Sequence, residues 1–358
     1  MIKIAQVCYS ISTGDGVSGQ VLWMDWAFKK LGYCAEIYCY RYTEDIGHLK
    51  PFTDLIYDKD TIVIYHFSCG NSLANKILDY PGPILLYYHN ITPAHFFWSY
   101  SWGNLRNCLR GRYQLGKLRN NTMYAWAASE YSRQELLQKK YSKTSVLPIC
   151  VDYQAYYQQP EDIQLVSRYK DGKLNILFVG RVVPHKKQED LIKILAYYKK
   201  AINKEVRLIL VGNSKTSYQD KLLQLAKNLG VEEDVVFPGK VSFIELCTYY
   251  RLSDLFLCMS EHEGFCIPLI ESMIFMKPVF AYSAAAVAET VDNAGVLFHE
   301  KDIADIANTI SRTMKSSSAL AQLNHNMKIR LTTLDPEATL QKLKSDMDDI
   351  IETRALSK

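Results

Sequence analysis

A chain of 358 residues, 48% apolar and 22% charged, exceeds one ordinary core and carries too much apolar surface to be disordered. Two domains of roughly 150 to 200 residues each are expected. The net charge of +4 is too small for this length to indicate a nucleic-acid partner. The nine cysteines are odd in number, scattered and never spaced Cys-x-x-Cys, which favours reduced thiols in a cytoplasmic setting over a disulfide framework or a zinc site.

The first strand is expected at 2–9, with no basic start, apolar stretch and cleavage site in order, so no signal peptide is read. No run approaches the ~20 apolar residues of a membrane-spanning helix. The sequons at Asn90 and Asn120 are therefore read as chance matches. Short apolar or β-branched runs then alternate with helical patterns, as parallel sheets of βαβ units require. Further strands are predicted at 35–40, 61–65, 84–88, 124–128 and 145–147, and helices at 19–31, 72–78, 105–118 and 132–141. Residues 152–173 keep neither period and read as a linker.

A second series follows, with strands at 175–179, 207–211, 235–237, 255–259 and 279–281 and helices at 188–201, 218–229, 244–250 and 268–276. Helices fill the chain from 302 onward. The expected architecture is α/β, two Rossmann-like doubly wound parallel-sheet domains facing a central cleft: 1–165, for the acceptor, and 166–335, for the donor, with a helix at 336–358 returning to the first. Ligands of such sheets bind beyond the carboxyl ends of the strands.

Two loops stand out on that principle. Glu263-Gly264-Phe265-Cys266-Ile267-Pro268 follows an apolar strand, and Pro268 suits the first turn of a helix, so Glu263 falls in the loop and Glu271 about one turn into the helix. A helix start attracts anionic or oxygen-rich groups. Carboxylates placed there suit hydroxyls rather than phosphate, and those of a sugar and a ribose are natural partners for the two glutamates. The plain alternatives are a surface loop acid and an acid favoured by the helix dipole. In the other loop, Gly180-Arg181-Val182-Val183-Pro184-His185-Lys186, the cations Arg181 and Lys186 could neutralise a diphosphate without a metal, or form a solvated cluster.

These residues, with Val211-Gly212 closing the next strand, resemble the family 4 retaining glycosyltransferases, glycosyl transferases group 1, of GT-B fold. The resemblance implies a nucleotide-sugar donor, GDP- or UDP-linked, and no cofactor or metal. It gives Arg181 and Lys186 the diphosphate, Glu263 the transferred sugar, Glu271 the ribose, and Gly212, Lys215, Val241 and Leu246 the base. Gly180, Gly264, Phe265, Cys266 and Ile267 would line the donor. Ala288 departs from it, since relatives usually have Pro before Glu289. Tyr88-His89-Asn90-Ile91-Thr92-Pro93 and Ala294-Gly295-Val296-Leu297-Phe298 look like bacterial enzymes of surface polysaccharide synthesis, some of which use GDP-mannose.

In the first half, Gly14-x-Gly16-x-x-Gly19 could be read as a nicotinamide-dinucleotide fingerprint, but Glu36 lies near the start of the second strand rather than at its end. An oxidoreductase and a non-catalytic nucleotide-sugar-binding protein are the alternative classes. By the resemblance Gly16 would approach the donor, and His89 the transferred sugar. His66 is an acceptor candidate or a buried histidine. Residues 105–119 carry five cations and no acid, so Arg106, Arg110 and Arg112 could meet anionic lipid at the cytoplasmic face of the membrane, where a glycan or lipid-linked glycan acceptor would be reached, or simply be solvated.

Overall fold

The structure, a computed structural model, describes residues 2–12, 14–42, 48–213 and 217–356. The chain divides into two compact units, Met1–Val151 together with Leu334–Lys358, and Asp152–Thr333.

The first unit holds a seven-stranded parallel sheet: β1 (Lys3–Ile11), β2 (Cys34–Tyr42), β3 (Leu49–Pro51), β4 (Ile62–Phe67), β5 (Ile84–Tyr88), β6 (Thr122–Ala127) and β7 (Thr144–Val146). Between them run α1 (Gly16–Lys30), α2 (Leu73–Leu78), α3 (Trp102–Leu118) and α4 (Glu130–Gln138). Every side chain of β4 and β5 is buried, because helices on both faces leave a parallel strand no solvent side. Helix α1 begins three residues before the predicted 19, since the Asp15 side chain caps it by accepting from the Ser18 amide. The order β3-β2-β1-β4-β5-β6-β7 reverses direction between β1 and β4.

The second unit begins with two short helices, α5 (Tyr153–Tyr157) and α6 (Ile163–Tyr169), where a linker was expected. Asp152 and Asp162 cap them, and the Arg251 guanidinium holds the carbonyls of Tyr156, Gln159 and Pro160, so the segment belongs to this unit and the boundary falls after Val151 rather than 165. A six-stranded parallel sheet follows, β8 (Leu174–Val179), β9 (Val206–Val211), β10 (Val235–Gly239), β11 (Leu255–Cys258), β12 (Val279–Tyr282) and β13 (Gly295–Phe298), in the order β10-β9-β8-β11-β12-β13. Its helices are α7 (Gln188–Ala201), α8 (Ser217–Asn228), α9 (Phe243–Leu252), α10 (Ile267–Ile274), α11 (Val287–Val291), α12 (Ile303–Lys315) and α13 (Ser317–Thr333). This sheet reverses between β8 and β11.

The last helix, α14 (Pro336–Leu356), packs on the first unit. Its Leu340, Leu343, Met347 and Ile350 are buried, and Asp346 accepts from the Trp126 indole and the Ser145 hydroxyl, both at 2.9 Å.

Candidate active site

In the second unit the chain leaves β8 on one side, builds β9 and β10, and returns to place β11 on the other side of β8. The loops after β8 and β11 thus diverge from adjacent strand ends and leave a crevice, the switch point where such sheets bind ligands. Gly180 to Lys187 follow β8, and Met259 to Cys266 follow β11. The Glu261 amide donates to the His185 carbonyl at 2.8 Å, tying one loop to the other. Lys301 braces the second loop from behind, donating to the Met259 carbonyl, Glu261 and Asp190 at 3.1, 2.9 and 2.8 Å.

Within this frame Lys186 and Glu263 meet. The ammonium donates to Glu263 Oε1 at 2.5 Å, with side-chain exposures of only 16% and 7%. Burial presses the Lys186 ammonium down, but the Glu263 carboxylate more than offsets this and holds it above its ordinary range. Arg181, in the same loop, is exposed, and its carbonyl accepts from the Gln188 amide group at 3.0 Å.

Glu271 lies one turn into α10 and is buried among groups that sequence inspection did not single out. Tyr156 donates to its Oε1 at 2.5 Å and Tyr250 to its Oε2 at 2.7 Å. Burial pushes the carboxyl up, while the two hydroxyls pull it partly back. Both tyrosines are distant in sequence, one in α5 and one in α9, so no local motif announces them.

Pro268 is the second residue of α10, and Cys266 caps the helix in a left-handed conformation, φ 69°. Phe265 and Cys266 are buried and Ile267 half-buried at the crevice edge, while the Phe265 carbonyl accepts from the Thr290 hydroxyl. Without the proline expected at 288, α11 still forms, and the Ala286 amide reaches the Glu263 carbonyl at 3.3 Å, beside Gly264.

Gly180 and Gly212 end β8 and β9 at positive φ, and a Cβ on Gly212 would stand 2.0 Å from the Gly180 carbonyl oxygen. This close crossing admits only glycine at 212. Val241 and Leu246 lie half-buried just beyond β10, at the same carboxyl edge of the sheet. Lys215 falls outside the described residues.

The first unit places its own polar chain at its switch point. His66 lies in β4, His89 directly after β5, and Gln6 in β1. His66 Nε2 stands 3.0 Å from Gln6 Oε1, and His66 Nδ1 stands 3.0 Å from His89 Nε2. Both imidazoles are held neutral by burial, His66 pushed down to about 3 and His89 well below its ordinary value. The interior position of His66, sandwiched against the Tyr87 ring, departs from a direct acceptor contact. Gly16 is the first residue of α1, while Glu36 is engaged by Lys50 and Tyr38 at 2.5 and 2.6 Å, away from any strand end where a ribose acid would stand.

Helix α3 separates the three arginines. Arg106 and Arg110 are exposed, but Arg112 turns inward to Glu135 at 3.1 Å and the Ile91 carbonyl at 2.7 Å, which removes it from an outer binding face. With Arg106 and Arg110, the outer face carries Trp102, Leu109, Tyr113 and Lys117, and Trp98 lies beside Trp102, the rings tilted by 51° with centroids 5.7 Å apart. In the sequence only the cations of 105–119 were weighed, and Trp102 lies outside that segment, so this apolar stripe was not read. Among the described residues no helix is long and apolar enough to cross a membrane.

Residues 161–330 match the family model "Glycosyl transferases group 1". The chain is 25% identical over 203 residues to a D-inositol 3-phosphate glycosyltransferase of Gordonia bronchialis, a match covering 54% of this chain and 44% of that protein. It is 26% identical over 179 residues to a GDP-mannose-dependent alpha-(1-6)-phosphatidylinositol monomannoside mannosyltransferase of Mycobacterium tuberculosis, covering 47% of this chain and 46% of the relative. These matches thus span less than half the length of either relative. The crystal structure of Anabaena HepE in complex with UDP and glucose shares the fold over 98% of this chain and 100% of its own, with a TM-score of 0.77 at 18% identity. Together with the glycine-lined β8 and β9 ends and the Lys186–Glu263 pair, the family match identifies residues 161–330 as a glycosyl transferases group 1 domain.

Proposed function

We propose that this protein is a retaining glycosyltransferase that moves a hexose such as mannose from a nucleotide-diphosphate sugar to a glycan or lipid-linked glycan, in the assembly of surface polysaccharide on the cytoplasmic side of the membrane. Carrying the proposal is the buried contact of Lys186 with Glu263 across the switch point, one cation and one carboxylate in a domain that matches the glycosyl transferases group 1. Lys186 and Arg181 address the donor diphosphate, where fixed cations stabilise the charge that develops as the bond to the sugar breaks. Glu263 accepts from hydroxyls of the transferred sugar and Glu271 from those of the ribose. His89 adds a contact to the sugar.

The proposed reaction proceeds on one face. The anomeric carbon–oxygen bond to the diphosphate breaks, the acceptor oxygen bonds to the same face of that carbon, and the acceptor proton passes to the leaving phosphate oxygen. The products are the glycoside and the free nucleoside diphosphate. The two cations supply the charge neutralisation that a metal would otherwise provide.

Incubation with a panel of GDP- and UDP-sugars, reading thermal stabilisation and release of nucleoside diphosphate, tests the donor. Stabilisation by one sugar nucleotide with release on adding acceptor is expected. Stabilisation by a nicotinamide dinucleotide alone would overturn the assignment in favour of an oxidoreductase, and tight sugar-nucleotide binding with no release against any acceptor would favour a binding protein. Trapping of a covalent glycosyl group on Glu263 would refute the one-face route.

The outer face of α3, with Trp102, Leu109 and Tyr113 flanked by Arg106, Arg110 and Lys117, supports peripheral contact with anionic lipid. Sedimentation with anionic vesicles is expected to drop in Arg106→Glu/Arg110→Glu and in Trp102→Ser. Unchanged sedimentation in both would remove the membrane contact.

A further inference from the structure

We propose that Cys258, Cys266 and Glu263 form a capture site for one thiophilic divalent cation of the Zn2+ or Cd2+ class, seated against Lys186. The two sulfur atoms and a carboxylate oxygen lie within 4.8 Å of one another, and all three residues are buried. Tetrahedral zinc with sulfur at about 2.3 Å and oxygen at about 2.0 to 2.2 Å spaces such ligands by roughly 3.5 to 3.8 Å, so a modest closing completes three corners. Hard cations such as Mg2+ or Ca2+ take oxygen ligands, and two thiols select against them.

The scaffold is already built. Cys258 ends β11 and Cys266 caps α10, and the loop between them is held by the Lys301 contact to the Met259 carbonyl, the Ala286 contact to the Glu263 carbonyl and the Thr290 contact to the Phe265 carbonyl. Cys266 sits at φ 69°, a left-handed conformation that glycine adopts freely and that a residue with a Cβ rarely takes. Its side chain makes no capping hydrogen bond, so the thiol has no role in starting the helix. Its Sγ lies instead within 4.8 Å of the Cys258 Sγ.

Charge closes as well. Two thiolates and one carboxylate carry three negative charges, and a divalent ion with the Lys186 ammonium restores neutrality in a buried site. Binding releases two thiol protons to solvent and breaks no other bond. On the reading that Glu263 holds the transferred sugar, an ion bound to that carboxylate competes with the sugar and spares the nucleotide.

Titration of the full chain with Cd2+ under reducing conditions, followed by thiolate-to-cadmium charge-transfer absorption, tests the site without reference to turnover. One tight equivalent is expected, lost in Cys266→Gly and in Cys258→Ala and retained in the exposed-thiol control Cys34→Ser. Glu263→Gln is expected to weaken it by about 10- to 100-fold. Glycine suits the backbone at 266, so that variant is expected to melt cooperatively. Absorption that survives in Cys266→Gly, or that disappears in Cys34→Ser, would overturn the site. Stoichiometric capture by the parent, together with full turnover of Glu263→Gln, would leave the metal site standing and refute the sugar-binding role of Glu263.

Discussion

The Lys186 ammonium touches the Glu263 carboxylate at 2.5 Å although 77 positions separate them. The contact exists because β8 and β11 are neighbours in the sheet, and it makes each residue the buried counter-charge of the other. Glu263→Gln leaves the ammonium with a neutral partner, and a destabilisation of roughly 1 to 3 kcal/mol is expected. The double variant Lys186→Met/Glu263→Gln is expected to unfold at higher denaturant than Glu263→Gln alone, because no unpaired charge remains buried. Additive losses in urea unfolding would show that the pair is not coupled. Sugar transfer is expected to vanish in Glu263→Gln with nucleotide affinity largely retained, and wild-type turnover would refute the role.

Tyr250 and Tyr156 hold the two oxygens of Glu271. Removing a hydroxyl from a buried carboxylate takes away a charge-assisted hydrogen bond, so Tyr250→Phe is expected to cost roughly 2 kcal/mol and Tyr156→Phe somewhat less. Each would drive the Glu271 carboxyl further up. Thermal melts and nucleotide titrations of both variants check this. A Tyr250→Phe protein as stable as the parent would mean that the hydroxyl contributes nothing to that carboxylate.

Gly212→Ala is expected to be severe. Its Cβ would meet the Gly180 carbonyl oxygen at 2.0 Å, at a φ of 143° that a side chain rarely adopts. The strands β8 and β9 must separate at their carboxyl ends, with a loss of at least about 3 kcal/mol and of nucleotide binding. Soluble expression and a melting curve decide it. A stable variant binding nucleotide normally would show that the close crossing is not required.

Acid should loosen the first unit through its buried histidines. Above the ordinary value of about 6.5, His66 and His89 are neutral folded and unfolded, and full stability is present. Below it the unfolded chain takes up protons that the fold refuses, because burial holds His66 down to about 3 and His89 well below normal. Stability therefore falls as pH drops from about 6.5, by up to roughly 1.4 kcal/mol per unit for each ring. Melting midpoints at pH 7.5, 6.5 and 5.5 are expected to decline more gently in His66→Gln. An identical decline in parent and variant would assign the acid sensitivity to other groups.

Much of the fold was legible because βαβ units write themselves locally. Strands such as β5 and β11 are unbroken apolar runs, and helices such as α7 keep a 3.6-residue stripe. The strands that escaped notice, β3 and β13, are short and at sheet edges, where few positions are buried and the period cannot develop. The segment 152–173 looked irregular because α5 and α6 are each less than two turns long and are tied down by residues of α9, Arg251 at the end of α5 and Thr248 at the start of α6.

The same division holds at the site. Sequence by itself determined which loops carry cations, carboxylates and glycines, since each motif is a strand end followed by a helix start and depends only on neighbours. Only the tertiary structure decided that Lys186 faces Glu263, that Tyr156 and Tyr250 hold Glu271, that Cys258 and Cys266 converge, and that Arg112 turns inward. The reason is physical: these partners meet through the order in which parallel strands pair and helices cover them, and that order is set by the shared burial of whole elements rather than by any short stretch of chain.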